Sequence, residues 1–279
     1  MSVISTYRLQ MRGPSSGEAF TFADAENLVG YLADLGVSHL YLSPILTAGE
    51  GSTHGYDVTD PTTISAELGG PEGFRRLSEK ARAAGLGVVV DIVPNHVGVD
   101  VPRQNPWWWD LLTHGRDSQY ASYFDVDWTL DPNGRIVLPV LGSDDDVADL
   151  VVDGDTLRLG DLAYPISPGT ADDGASGAQV HDRQHYKLIG WRHGICGYRR
   201  FFSITSLAGL RQEDRAVFDA THVEVKRWFD EGLVDEAARE RHPAASSAIS
   251  GNAALIARAD PAAGETFAIG DRLVLAVDP

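Results

Sequence analysis

The chain has a single cysteine, Cys196, among its 279 residues. One thiol makes an intramolecular disulfide impossible and excludes a zinc site built on cysteines. The residues flanking Cys196 carry no signal for a lowered pKa, so it reads as a bystander. Basic residues are scarce too: 23 Lys and Arg stand against 40 Asp and Glu, a net charge of −17. So acidic a chain repels nucleic acid and anionic membrane at long range, and neither is expected as a partner. Neutral polyols and sugars are compatible with an acidic cleft, and an acidic surface also simply keeps a protein soluble. No apolar run reaches the roughly 18 residues that could cross a bilayer. The start, Met1 to Arg8, has no basic region followed by an apolar stretch; no signal peptide is read, and the cytoplasm is the expected location. Also missing are a Gly-rich phosphate loop, a His-Glu-x-x-His helix and a Gly-x-Ser-x-Gly elbow. No cofactor is expected, and no all-oxygen cage for a metal is evident.

What is present is globular: 43% hydrophobic and 23% charged, enough for one large domain or two small ones. The stretch Leu86 to His96 stands out. Val88 to Val90 is a β-branched run too short for a buried helix, so it reads as a buried parallel strand. It ends in Asp91, Asn95 and His96, with Pro94 stopping the ladder. Polar groups at the C-terminal end of such a strand are where α/β enzymes present chemistry.

Upstream, Val3 to Leu9 reads as a short strand with Tyr7 and Arg8 at its end. Phe22 to Leu35 has helical apolar spacing, with Thr21 as N-cap and Gly36 as terminator. Val37 to Leu42 is a second strand, followed by a long polar loop holding His54, Tyr56 and Asp57. Pro71 to Ala84 is a second amphipathic helix closed by Gly85. The order is β-α-β-loop-α-β, with short returns into strands and long exits, as in a TIM barrel.

After His96 that rhythm breaks. Residues 97–200 are rich in aromatics, Asp and Gly, with short strand-like pieces at Ile136–Leu141 and Thr156–Leu159 and a flexible loop at Gly169–Gly177. Glu213 to Glu231 reads as one helix. From there the chain is Ala-rich, with one further strand-like piece at Arg272–Val277. The expected organisation is residues 1–96 as the first half of a barrel, 97–200 as an inserted lobe, 201–235 as the return to a barrel helix, and 236–279 as a divergent tail.

Several residues could carry chemistry. Asp91, Asn95 and His96 could hold a ligand or move protons, or could satisfy one another at a strand end. His54 and Tyr56 are two apart and so face the same way in extended chain, while Gly55 lets the backbone come close to a ligand; an ordinary turn fits as well. Trp107–Trp109, Trp128, Tyr120, Tyr123 and Phe124 could form a stacking face or the core of the lobe, and the core is favoured. Arg199 and Arg200 suit carboxylate pairing and ligand binding equally.

These residues resemble a known family. Asp91-Ile-Val-Pro-Asn-His96 resembles the strand-three signature of the α-amylase superfamily (glycoside hydrolase family 13), and His54-Gly-Tyr-Asp57 its loop after strand two. More narrowly, Ser5-Thr-Tyr-Arg-Leu-Gln10, Tyr41-Leu-Ser-Pro44, Gly51 to Asp57, Gln184 to Leu188, Tyr198 to Phe202 and Leu207 to Arg211 are similar to the maltooligosyl trehalose synthase family. The resemblance runs from about residue 4 to about residue 235. It implies an α/β fold of the (β/α)8 TIM-barrel family, here a partial barrel of about the first three to four βα units with a lobe inserted after strand three. It implies a substrate, a maltooligosaccharide or α-1,4-glucan, and a reaction converting the reducing-end α-1,4 bond into an α,α-1,1 bond on the way to trehalose.

Carried over residue by residue, the resemblance implies that Tyr56 stacks on a sugar ring and that His54 and His96 hydrogen-bond its hydroxyls. Asp57 would lie on the same rim, and Asp91 and Asn95 would hold the strand end. The family's chemistry resembles retaining glycoside chemistry, with a carboxylate nucleophile and an acid about 5 Å apart. A third carboxylate assists, and the released glucose re-attacks with water excluded. Here the sequence departs from the pattern. After Gly232-Leu-Val-Asp235 come Glu236 to Pro243, with no β-branched strand and no Arg-x-Asp. None of the three catalytic carboxylates is identified. Three readings follow: the mutase, represented by a truncated chain; a catalytically inactive glucan-binding protein; or another amylase-type hydrolase or transglycosylase.

Overall fold

The computed structural model describes residues 3–239, the last four by backbone alone. The strand-like piece at Arg272–Val277 lies outside the described residues. The chain divides into two compact units, residues 3–94 with the described residues from 219 on, and residues 95–218.

The first unit opens with β1 (Thr6–Leu9) and α1 (Phe22–Leu35). The helix starts where the spacing predicts, because Asp24 accepts hydrogen bonds from both the amide and hydroxyl of Thr21 at 2.8 Å. It stops at Gly36, which adopts a left-handed conformation. Then come β2 (His39–Leu42), an antiparallel pair β3 (Leu46–Ala48) and β4 (Val58–Ile64), α2 (Gly70–Ala83) and β5 (Gly87–Ile92). All six residues of β5 are buried. The strand runs through Asp91, so this acid is a strand residue rather than a loop residue. Gly87 is required where it stands: a Cβ there would lie 2.2 Å from Cδ2 of His39, its register partner on β2. Behind the sheet, Phe22 of α1 packs on Phe74 of α2.

The second unit begins with β6 (His96–Gly98) and α3 (Pro106–His114). Asn105 caps α3 by accepting from the Trp108 amide, and its own amide donates to Gly98 O. Next are β7 (Ile136–Leu141), the meander β8 (Val151–Asp153), β9 (Thr156–Leu159) and β10 (Leu162–Pro165), then α4 (Gly177–His181) and β11 (Tyr186–Gly190). β11 pairs in parallel with β7, and the hairpin β12 (Arg200–Phe201) and β13 (Ile204–Gly209) pairs antiparallel with β6. The stretch Gly169–Gly177 is anchored: Asp173 pairs with Arg183 at 2.8 Å, and Ser176 and Gln179 cap α4 reciprocally. The single helix expected over Glu213–Glu231 is two, α5 (Arg215–Thr221) and α6 (Val223–Asp230). His222 between them leaves helical geometry, with ψ at +10°.

One expectation is corrected at the end of the described chain. No strand was anticipated directly after Asp235, yet the backbone of Glu236–Arg239 forms β14, parallel to β5. The Asp235 side chain accepts from the Val88 amide and the Asp235 amide donates to Val88 O, which sets this register. The edge hydrogen bonds of β5 are the physical reason: they accept a backbone of any sequence, so a non-β-branched segment can pair. The sheet is thus four parallel strands in chain order, β1-β2-β5-β14.

Candidate functional site

At the carboxyl end of the parallel sheet, three strands and one loop deliver interlocking polar groups. Arg8 near the end of β1 lies in register with Tyr41 of β2, and its guanidinium sits 5.8 Å from that ring's centroid. Arg8 Nη2 donates to the Tyr56 hydroxyl at 2.8 Å, and that hydroxyl donates to Asp91 Oδ2 at 2.7 Å. The three groups form a continuous relay, Arg8 to Tyr56 to Asp91. Burial works against the charge on Arg8, but Tyr56 and the Asp91 carboxylate outweigh it and raise its pKa. The cation is therefore permanent, and the relay fixes the Tyr56 ring from its polar end.

The loop carrying Tyr56 is built to hold that position. Gly55 has φ of +78°, and a Cβ on it would lie 2.7 Å from Pro44 O at the exit of β2. Its amide donates to Ser52 Oγ, which in turn donates to Asp57 Oδ1 at 2.5 Å. Gln10 and Arg12, beyond the end of β1, donate to the Thr53 carbonyl. His54 stacks on Tyr56 with ring centroids 5.9 Å apart. Its Nδ1 accepts the Tyr56 amide at 3.0 Å, so a neutral ring carries its proton on Nε2. His54 is about half exposed, leaving that donor accessible. Asp57 Oδ1 is 3.6 Å from His54 Nδ1.

The structure thus brings His54, Tyr56, Asp57 and Asp91 together in the first unit. Asn95 and His96 belong to the second. There the Asn95 carbonyl accepts the Leu210 amide, and His96, 3% exposed, stacks on Phe201 at 4.0 Å. The aromatic run after His96 is mostly core. Trp108 is buried with its edges toward Phe124 and Tyr198, and Trp107 stacks on Tyr120. Arg199 pairs with Asp125 at 3.2 Å, while Arg200 donates to Ser203 O. Burial pushes the Cys196 thiol up, away from thiolate chemistry. Among the described residues, no cluster of three or more His, Cys, Asp or Glu is placed to hold a metal ion.

Sequence reasoning did not single out Arg8 as a site residue. The available signal was its position: a basic residue closing the first strand of a βα series stands on the face where such folds place their sites.

Comparisons with known proteins show what the chain is similar to. The family "Alpha amylase, catalytic domain" matches residues 26–139. A protein of Mycobacterium tuberculosis named as a maltooligosyl trehalose synthase is 72% identical over 233 residues, which is 84% of this chain and 30% of that protein. The solved maltooligosyltrehalose synthase of Arthrobacter ramosus is 51% identical with a TM-score of 0.78, again over 84% of this chain and 30% of the other. An intracellular maltogenic amylase of Bacillus subtilis is 38% identical over 96 residues, covering 34% of this chain and 15% of its own. The parallel βα sheet and these matches mark the chain as similar to α-amylase-type proteins. Among these, it is similar to maltooligosyl trehalose synthases over 84% of its own length. It spans 30% of the length of the first relatives it matches. Among the described residues, no helix is long and apolar enough to cross a membrane.

Proposed function

We propose that this chain supplies a sugar-gripping part of a (1→4)-α-D-glucan 1-α-D-glucosylmutase, the enzyme type that turns the reducing-end α-1,4 bond of a maltooligosaccharide into an α,α-1,1 bond. The observation that carries this reading is the Arg8–Tyr56–Asp91 relay. It holds one aromatic ring at the carboxyl end of the sheet by its hydroxyl, leaving the ring's carbon atoms for the apolar C–H face of a pyranose. His54 offers its Nε2–H to a sugar hydroxyl, and Asp57 offers an acceptor. Asn95 and His96 are assigned as further substrate-binding groups carried by the second unit. The four parallel strands are read as the first βα units of a (β/α)8 barrel, with residues 97–200 as a lobe inserted after its third strand.

The carboxylates of the first unit's site are already engaged: Asp91 by Tyr56, Asp57 by Ser52. Neither is offered as nucleophile or acid, and the bond-breaking groups are assigned to parts of the whole enzyme other than those identified here. This same observation favours a second reading, a glucan-binding protein without turnover. Calorimetry of the full chain with maltopentaose tests binding, and loss of reducing ends tests turnover. Millimolar binding without turnover is the expected result. Absence of heat at millimolar sugar would overturn the sugar-gripping role, and turnover by this chain alone would overturn the assignment of its carboxylates. Tyr56→Phe, which keeps the ring and breaks the relay, is expected to weaken binding by about 1–2 kcal/mol, roughly five- to thirtyfold.

A further inference from the structure

The second unit contains a cavity of about 280 Å³ that the site described above does not use. Its walls include Asp100 after β6, Trp108 of α3, Tyr164 of β10, Trp191 after β11, and Thr205 and Ser206 of β13. Its frame is fixed. The Val99 amide donates to Ser206 O, and the Tyr198 hydroxyl donates to Thr205 O at 2.5 Å. These bonds occupy the carbonyls of Thr205 and Ser206 and leave their side-chain hydroxyls without a protein partner among the described residues.

Tyr164 is the most telling wall. It is 3% exposed, lines the cavity, and its hydroxyl makes no hydrogen bond to any described residue. Its oxygen is not sealed off, so a hydroxyl of a bound molecule can reach it. Burial, and then the Asp100 carboxylate, raise its pKa, so it stays a neutral donor. Trp191, by contrast, is 59% exposed, an uncommon amount for so large an apolar ring, with the Arg192 guanidinium 5.4 Å from its centroid.

We infer that this cavity is a carbohydrate-binding site, taking a single neutral pyranose unit such as one glucose residue of a glucan. The volume is at the small end of ligand pockets, which suits one ring rather than a chain. An exposed indole covers a pyranose C–H face. The hydroxyls of Tyr164, Thr205 and Ser206 and the carboxylate of Asp100 then meet the sugar's hydroxyls as donors and acceptors. An anionic ligand is disfavoured by Asp100 and by the chain's net charge of −17. The site lies wholly within the second unit and does not depend on the role proposed for Tyr56.

The test is 19F NMR of the full chain labelled with 5-fluorotryptophan, which gives one resonance for each of six tryptophans. The Trp191 resonance is assigned from its loss in Trp191→Phe. Titration with maltose to tens of millimolar is expected to shift that resonance saturably, and equally so in a Tyr56→Ala background. Tyr164→Phe is expected to weaken the apparent affinity at least threefold. No shift of the Trp191 resonance would overturn the site. A shift abolished by Tyr56→Ala would show that it reports the other locus, which also overturns it. A larger response to adenosine than to maltose would overturn the assignment to sugars.

Discussion

The two units are built from different materials. The first rests on long regular elements: two 14-residue helices against a parallel sheet whose central strand β5 is buried along its length. The second has no helix longer than the nine residues of α3 and no strand longer than six. Short elements cannot bury a continuous apolar face, so side chains take over the work of repeating backbone. Gln184 illustrates this: its Oε1 accepts the Ser167 amide, and its Nε2 donates to Val180 O and Thr170 Oγ1. Asp131, 3% exposed, takes a two-pronged contact from Arg135 at 3.1 Å. In the first unit, regular backbone fixes the positions of polar side chains; in the second, polar side chains fix the backbone. A site on strand ends needs the first arrangement, because parallel strands align their terminal residues without further help.

The largest effects should come from the two cores. Phe74 in the first unit, between Phe22 and Trp228, and Trp108 in the second are both buried to within 1%. Truncating either to Ala is expected to cost about 3–5 kcal/mol. With two compact units a single melting curve is ambiguous, so hydrogen exchange resolved by segment is the measurement. Phe74→Ala should accelerate exchange chiefly in α1, α2 and β5, and Trp108→Ala chiefly in α3, β7 and β13. Equal acceleration everywhere would mean that the units do not respond separately.

Acid should separate the units next. His181 in the second unit is 3% exposed, and its Nε2 accepts the Leu188 amide at 3.0 Å. Burial, and then the Arg135 guanidinium, push its pKa down to about 4. The unfolded chain binds this proton near pH 6.5 and the folded unit does not. Stability is therefore complete above pH 6.5, declines as pH falls toward 4, and levels off for this group below that. The loss is about 2–3 kcal/mol. Denaturant unfolding followed by near-ultraviolet circular dichroism across that range checks it, and His181→Asn should flatten the slope.

A smaller effect tests how firmly the loop between β3 and β4 is held. Gly55→Ala places a Cβ 2.7 Å from Pro44 O and asks Ala to hold φ at +78°. A cost of about 2 kcal/mol is expected. Because Tyr56 is the next residue, maltopentaose affinity should fall with it. Affinity unchanged at that stability cost would separate the loop's backbone from sugar binding.

This contrast also explains what was legible in the sequence. Helix α1 could be read to the residue, because Thr21 and Gly36 are local capping signals around a 3.6-residue period. β5 was visible as Val88–Val90, but its extension through Asp91 was not, since one acid ends an apolar run on paper while a ladder continues through it. β14 was invisible for a related reason: its pairing is decided by the open edge of β5, not by its own Ala-rich residues. The loop's His54, Tyr56 and Asp57 could be named from their spacing. The relay that fixes Tyr56 could not, because Arg8 and Asp91 are brought near each other by the parallel register of β1, β2 and β5, and Tyr56 reaches both from the loop between β3 and β4.

The smallest effect concerns Phe202, at the tip of the β12–β13 hairpin, the one described non-glycine residue with positive φ, at +56°. Left-handed geometry costs an ordinary residue about 1–2 kcal/mol. Its ring approaches Phe201 edge-on, with centroids 4.4 Å apart. Such contacts contribute about 0.5–1.5 kcal/mol, and Phe202 is 39% exposed, which puts its contact at the weak end. Set against this ring contact, the conformational term wins narrowly. Phe202→Gly should raise the unfolding free energy by up to about 1 kcal/mol, whereas Phe202→Val, which loses the ring and keeps the strain, should lower it. Destabilisation by glycine would show that the aromatic series His96, Phe201 and Phe202 outweighs backbone strain. The second unit would then be held at its hairpin, as at Trp108, by aromatic packing rather than by backbone preference.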